Sequence, residues 1–128
     1  MAFAKEGFMS EVHASAIVTV AIEPENGSEA AELVRGQEKA LLERVKPLLR
    51  DHSVTLDMAR VERIDAAGIA ALITLYCAAR QADHEFAVSH ATPRVEEILQ
   101  LVGVRRLFAS HEMADASEYS LSLELAEA

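Results

Sequence analysis

The chain has a single cysteine, Cys77, among its 128 residues, no tryptophan, and only 5% aromatic residues. One thiol excludes an intrachain disulfide. Cys77 lies inside a helix-length segment where Arg80 is the only cation within one turn and no histidine stands by as a base. It is therefore expected to be a buried structural thiol, not a nucleophile. Cations are scarce as well, with 12 Lys and Arg against 21 Asp and Glu and a formal net charge of −9. Nucleic acids and anionic membrane surfaces are both bound through clustered positive charge, so this balance argues against either partner. No apolar run approaches the roughly 20 residues needed to cross a bilayer, which argues against membrane insertion. Met1 to Gly7 lacks the basic and apolar regions of a secretory leader, so a cytoplasmic location is expected.

Catalytic patterns are missing too. The histidines His13, His52, His84, His90 and His111 are scattered, without the i, i+4 or Cys/His spacings of a metal site. There is no Gly-rich phosphate loop and no Gly-x-Ser-x-Gly elbow. The expectation is a protein that is not an enzyme and needs neither cofactor nor metal.

What is present is material for one core. Hydrophobic residues make up 51% of a chain long enough for one domain. Two strand-length apolar segments, Val54 to Met58 and Glu85 to Val88, flank the helix-length segment Ile69 to Arg80, with about 26 residues between them. That spacing predicts a βαβ unit with parallel strands and a right-handed crossover. Asp65 is placed to cap the helix, because its carboxylate can accept hydrogen bonds from the free amides of the first turn. Gly68, within that turn, costs helix propensity, and close approach of another group to the backbone is the expected reason.

Around this unit, Val12 to Ile22 reads as a β-branched strand and Pro24 to Ser28 as a turn. A short second strand is expected over Glu32 to Gly36, unless Ser28 caps an early helix. Gln37 to Leu49 carries Leu41, Leu42, Val45, Leu48 and Leu49 at helical spacing, with Pro47 expected to kink or loosen its last turn. Thr92 and Pro93 have the chemistry of a cap and first helical residue for a short helix to Leu101. Val104 to Phe108 is expected to return to the sheet edge. Beyond Ser110, Tyr119, Leu121, Leu123 and Leu125 alternate as in a strand, and a frayed helix or tail fits equally well. The expected division is a flexible arm over residues 1–11, a domain over 12–110, and an acidic segment over 111–128 whose packing on the domain stays open.

The central helix also shows an unusual surface. Ile69, Leu72, Ile73 and Tyr76 can be drawn as a core-facing stripe. The other side then carries Ala70, Ala71, Thr74, Leu75 and Ala78, with no charge before Arg80. Such a side suggests a second protein surface, or else burial beneath the C-terminal segment. Asp57 and Asp65 are the carboxylates expected to face one pocket, with a loop-holding hydrogen bond and a helix cap as their structural roles.

The pattern Val54-Thr55-Leu56-Asp57, Val61, Ile64-Asp65-Ala66-Ala67-Gly68-Ile69 and Leu72 resembles the central motif of STAS domains. That family comprises the bacterial anti-sigma-factor antagonists and the cytoplasmic domains of sulfate transporters. Pro93 to Leu99 and Leu101 to Phe108 extend the similarity, which covers roughly residues 13–110. The resemblance implies an α/β fold, a STAS-like mixed sheet with helices packed against it. It also implies a partner-binding face formed by Asp65, Ala66, Ala67, Gly68, Ala70, Ala71, Thr74, Leu75 and Ala78, with Asp57 supporting the loop. In regulated members a kinase phosphorylates a Ser or Thr just after the capping aspartate. Ala67 holds that place here, and Ala66 also lacks a hydroxyl, so switching by a phosphate of about −2 charge is not expected at this loop. The function implied is partner switching in transcription regulation, with a kinase-like anti-sigma factor as partner. A nucleotide- or lipid-sensing domain and an accessory subunit of a transporter complex are the alternatives, and self-association as a homodimer stays open.

Overall fold

The computed structural model describes residues 17–24, 28–108 and 118–124. The expected arm, residues 12–16 of the expected first strand, and residues 109–117 lie outside them. Strands β1 (Ile17–Glu23), β3 (Ser53–Asp57), β5 (Phe86–Ser89) and β6 (Glu118–Glu124) form a sheet in the order β5-β3-β1-β6. Strands β2 (Ala31–Leu33) and β4 (Val61–Ile64) pair separately. Helices α1 (Glu38–Asp51), α2 (Ala66–Gln81) and α3 (Pro93–Leu101) and a short 3-10 helix (Arg105–Phe108) complete the described chain. The expected α/β arrangement is the one observed, and every described strand pairing within it is parallel. No helix among the described residues is long and apolar enough to cross a membrane.

Alternation along the strands supplies one wall of the core. Val18, Val54 and Phe86 share a register, as do Val20, Leu56 and Val88, and all six side chains are buried. The residues between them on β1 and β3 are only half-buried, the signature of a sheet with one face packed. The βαβ unit is realised as β3, α2 and β5, with β4 inserted ahead of the helix. The alternating segment after residue 117 is a strand: β6 runs beside β1, with Tyr119, Leu121 and Leu123 at the registers of Val18, Val20 and Ile22. The sheet thus draws an edge strand from the expected acidic segment.

Helix α1 turns Ala40, Leu41, Val45 and Leu49 inward and packs against α2. Pro47 lies within α1 on its exposed side, and the helix continues past it to Asp51. Glu43, whose carbonyl loses its amide partner there, is also exposed to water. The start of α3 follows the sequence reading: Thr92 Oγ1 accepts from the Val95 amide at 3.4 Å, and Pro93 is the first helical residue.

The end of α3 departs from expectation, because residues 105–108 form a 3-10 helix and not a strand. Gly103 sits at φ +80°, and the amides of Gly103 and Val104 donate back to Gln100 and Leu99. This is a Schellman closure, and it turns the chain back over the helix end. Arg105 then donates to Glu96 at 2.6 Å and to the Phe108 carbonyl at 3.0 Å, which ties the turn to α3. Phe108 is buried edge-to-face against Phe86 and Tyr76, at centroid distances of 5.8 and 6.2 Å. Aromatic burial of this kind, with favourable ring geometry, outweighs a marginal edge strand of five residues.

Candidate functional site

The site expected from the sequence is built where β4 hands over to α2. Ile64 is buried, which anchors the strand end, and Asp65 follows in an extended conformation as the helix cap. Its Oδ1 accepts from the Gly68 amide at 3.1 Å and its Oδ2 from the Arg35 amide at 3.0 Å. The Asp65 amide itself donates to the Leu33 carbonyl at 3.4 Å. One carboxylate therefore joins the helix start to the loop after β2. The backbone amides of Arg35 and then Gly68 favour its charged form and hold its pKa below the ordinary aspartate value. With both oxygens engaged and the group ionised at neutral pH, Asp65 is fitted to hold the loop and poorly fitted to donate a proton.

Asp57 has other partners. Its Oδ1 accepts from the Ala59 amide at 3.0 Å and lies 3.5 Å from Nδ1 of His90. It supports its loop as expected, but no contact brings it together with Asp65. An open surface cleft of about 430 Å³ does lie beside β4, lined by Glu62, Arg63, Ile64, Arg94 and Ile98, and neither aspartate lines it. Among the described residues no three His, Cys, Asp or Glu side chains are grouped to hold a metal ion.

The orientation of α2 corrects the sequence reading. Its buried positions are Gly68, Ala71, Leu72, Leu75 and Ala79. Ala71 and Leu75, placed on the open side from sequence, are 2% and 0% exposed. Ile69, Ile73 and Tyr76, assigned to the core, are only partly buried and pack at its margin. Cys77 is exposed, contrary to the expected buried thiol. The reason is that this helix is apolar on nearly every side, so its own pattern has little power to choose a face. Gly68 chooses it: a β-carbon there would lie 2.9 Å from Ile64 Cγ1 and 3.1 Å from the Leu33 carbonyl carbon. The buried stripe is Gly68 and the positions 3, 4, 7 and 11 residues beyond it. Counting from that glycine sets the phase only once the Leu33 carbonyl is known to face it.

The open side is accordingly Ala66, Ala70, Thr74 and Cys77, all exposed, with Ala67, Ile69, Ile73 and Ala78 half-buried beside them. Of the expected partner face, Asp65, Ala66, Ala67, Ala70, Thr74 and Ala78 retain access to solvent, and Gly68, Ala71 and Leu75 do not. The one hydroxyl in the stripe is bonded within the helix, where Thr74 Oγ1 donates to the Ala70 carbonyl at 3.0 Å. No charge appears before Arg80, whose guanidinium lies 5.7 Å from the Tyr76 ring centre. Four turns of helix thus offer water a surface with almost nothing to solvate.

In a comparison with known families, residues 30–109 fit the family model described as Mlab, STAS domain. No curated protein matches this chain.

Proposed function

The chain belongs to the STAS domain family, and from that premise we propose that it is a non-enzymatic regulatory module that binds another protein through the Asp65 loop and the open side of α2. The observation that carries this reading is the uncharged exposed stripe Ala66, Ala70, Thr74 and Cys77. Surface helices of monomeric proteins ordinarily carry charge there, and a partner that covers small side chains can approach the helix backbone closely. The partner proposed is a kinase-like anti-sigma factor, with the chain as its antagonist. Ala67 makes the association independent of phosphorylation at the loop. Asp65, held by two backbone amides, keeps the loop in one shape and so reduces the ordering cost of binding.

The test is calorimetry and size-exclusion chromatography with the purified products of neighbouring genes, using the parent and Ala70→Glu. Ala70 is exposed, so charge there should leave the fold intact. A product that binds the parent and fails to bind Ala70→Glu supports the reading. Equal affinity for both proteins places the interface elsewhere and sinks it. Exposed Cys77 adds a second readout, since its labelling by a thiol reagent should slow in the complex.

A further inference from the structure

We infer that the cleft between β4 and α3 is a second protein-docking site, one that takes an extended segment of a partner carrying a carboxylate followed by an aliphatic side chain. This inference rests on the reading of the chain as a protein-binding module, but uses a surface apart from the α2 stripe. Ile64 and Ile98 provide apolar lining and Arg63 and Arg94 provide cations around a volume of about 430 Å³. Among the described residues Arg63 is engaged only by Glu32, at 3.4 Å, in a pair largely open to water. Arg94 makes no hydrogen bond or ion pair among the described residues. It is the second residue of α3, where the positive end of the helix makes a cation unfavourable and an anion welcome.

The apolar lining continues along α3. Leu101 stands three residues beyond Ile98 and is 78% exposed, and Val102 beside it is 51% exposed. A bound segment would find a cation at one end and aliphatic surface at the other. Arg94 and Leu101 are seven residues apart on a helix, a rise of about 10 Å. An extended chain covers that distance in about three residues. Alternate side chains of an extended chain share a face, so the spacing that presents both to α3 is an acidic residue with Leu, Ile or Val two or four positions away.

Charge selects the class of ligand. Glu62 also lines the cleft, and it would repel a dianionic phosphate while accepting a hydrogen bond from a peptide amide. A single carboxylate between two guanidiniums fits that mixed lining. The overall charge of −9 opposes an acidic partner little at long range, since charges more than about 8 Å apart are largely screened at physiological salt.

The experiment is selection of a phage-displayed library of random dodecapeptides on the full chain, followed by titration of the enriched peptides. The expected result is an acidic residue two or four positions from an aliphatic one, with NMR shifts centred on Ile98 and Leu101. Arg94→Glu should weaken those peptides by about fivefold or more, while Arg94→Lys and Ala70→Glu leave them nearly unchanged. Enriched peptides without an acid, no enrichment, or full affinity for Arg94→Glu would overturn the inference. So would vesicles containing phosphatidylglycerol that bind the parent and not Arg94→Glu, which would assign the cleft to lipid. Contacts in the free chain between residues 109–117 and Ile98 or Leu101 would assign it to the chain itself. Peptides lost in Ala70→Glu would map to α2, leaving the proposed function standing while this inference fails.

Discussion

The carbonyl oxygen of Leu33, at the end of β2, occupies the space that a β-carbon on Gly68 would need. The same oxygen accepts from the Asp65 amide at 3.4 Å. Two different elements therefore meet backbone to backbone at the start of α2, and the glycine allows the loop that carries Ala66 and Ala67 to sit as it does.

Gly68→Ala should consequently destabilise the protein, although alanine is the better helix former. The gain in helix propensity is about 1 kcal/mol, set against about 1–3 kcal/mol for overpacking a tight site. Here the obstacle is main chain, which cannot rotate aside, so a net loss of about 1–2 kcal/mol is expected. Urea denaturation measures it. Unchanged or raised stability would mean that β2 yields freely.

Asp65 should make stability depend on acid in a defined direction. Its folded pKa is depressed by the Arg35 and Gly68 amides, so its contribution is present above the unfolded value, near 4, and is lost as pH falls through the folded value below it. Asp65→Asn retains a capping oxygen but not the charge. The stability difference between parent and variant should be steady from pH 5 to 7 and shrink below about pH 4. A difference that stays constant down to pH 2.5 would show that the charge is not held as described.

Burial along α2 separates two pairs of variants. Leu75→Glu and Ala71→Glu place a carboxylate in the core without a partner, and each should cost about 3 kcal/mol or more. Ala70→Glu and Thr74→Glu lie on the open side and should change stability by about 0.5 kcal/mol at most. Thermal melts followed by circular dichroism decide it. A folded Leu75→Glu would contradict the orientation of the helix.

Ala67 carries the prediction about control. Incubation with a switch kinase and ATP should leave residues 65–73 unmodified by mass spectrometry, since neither Ala66 nor Ala67 has a hydroxyl. Ala67→Asp should weaken association with the partner identified by calorimetry, because an added anion in the interface lacks a cation to meet it. The helix itself would gain by about 0.3–1 kcal/mol from that charge in its first turn, so a melted helix would not account for the loss. Equal affinity of parent and variant would put the loop outside the interface.

Much of the frame was legible because it is specified locally. Asp65 and Thr92 announce helix starts through hydrogen bonds that reach only three residues, and Pro93 through its fixed φ. The parallel unit of β3, α2 and β5 follows from the length of apolar runs and of the segment between them. The two structural roles offered for Asp57 and Asp65 were legible for the same reason, since each is made with near neighbours in the chain or at the helix start.

The face that α2 presents was decided by tertiary structure alone. A helix that is apolar nearly all round has almost no preferred side, and Gly68 selects one only once the Leu33 carbonyl is there to be met. The buried state of Leu75 and the exposed state of Cys77 follow from that rotation. Residues 105–108 had strand-like composition, yet Gly103 and the reach of Arg105 to Glu96 bring Phe108 onto Phe86 instead. The cleft of Arg63, Arg94 and Ile98 joins residues about 30 positions apart, and β6 takes its place beside β1 across most of the chain. Composition, caps and periodicity are properties of short windows, and so the sequence determined where elements begin and what chemistry is absent. Which surfaces meet depends on close packing between elements distant in the chain, and that only the folded molecule could decide.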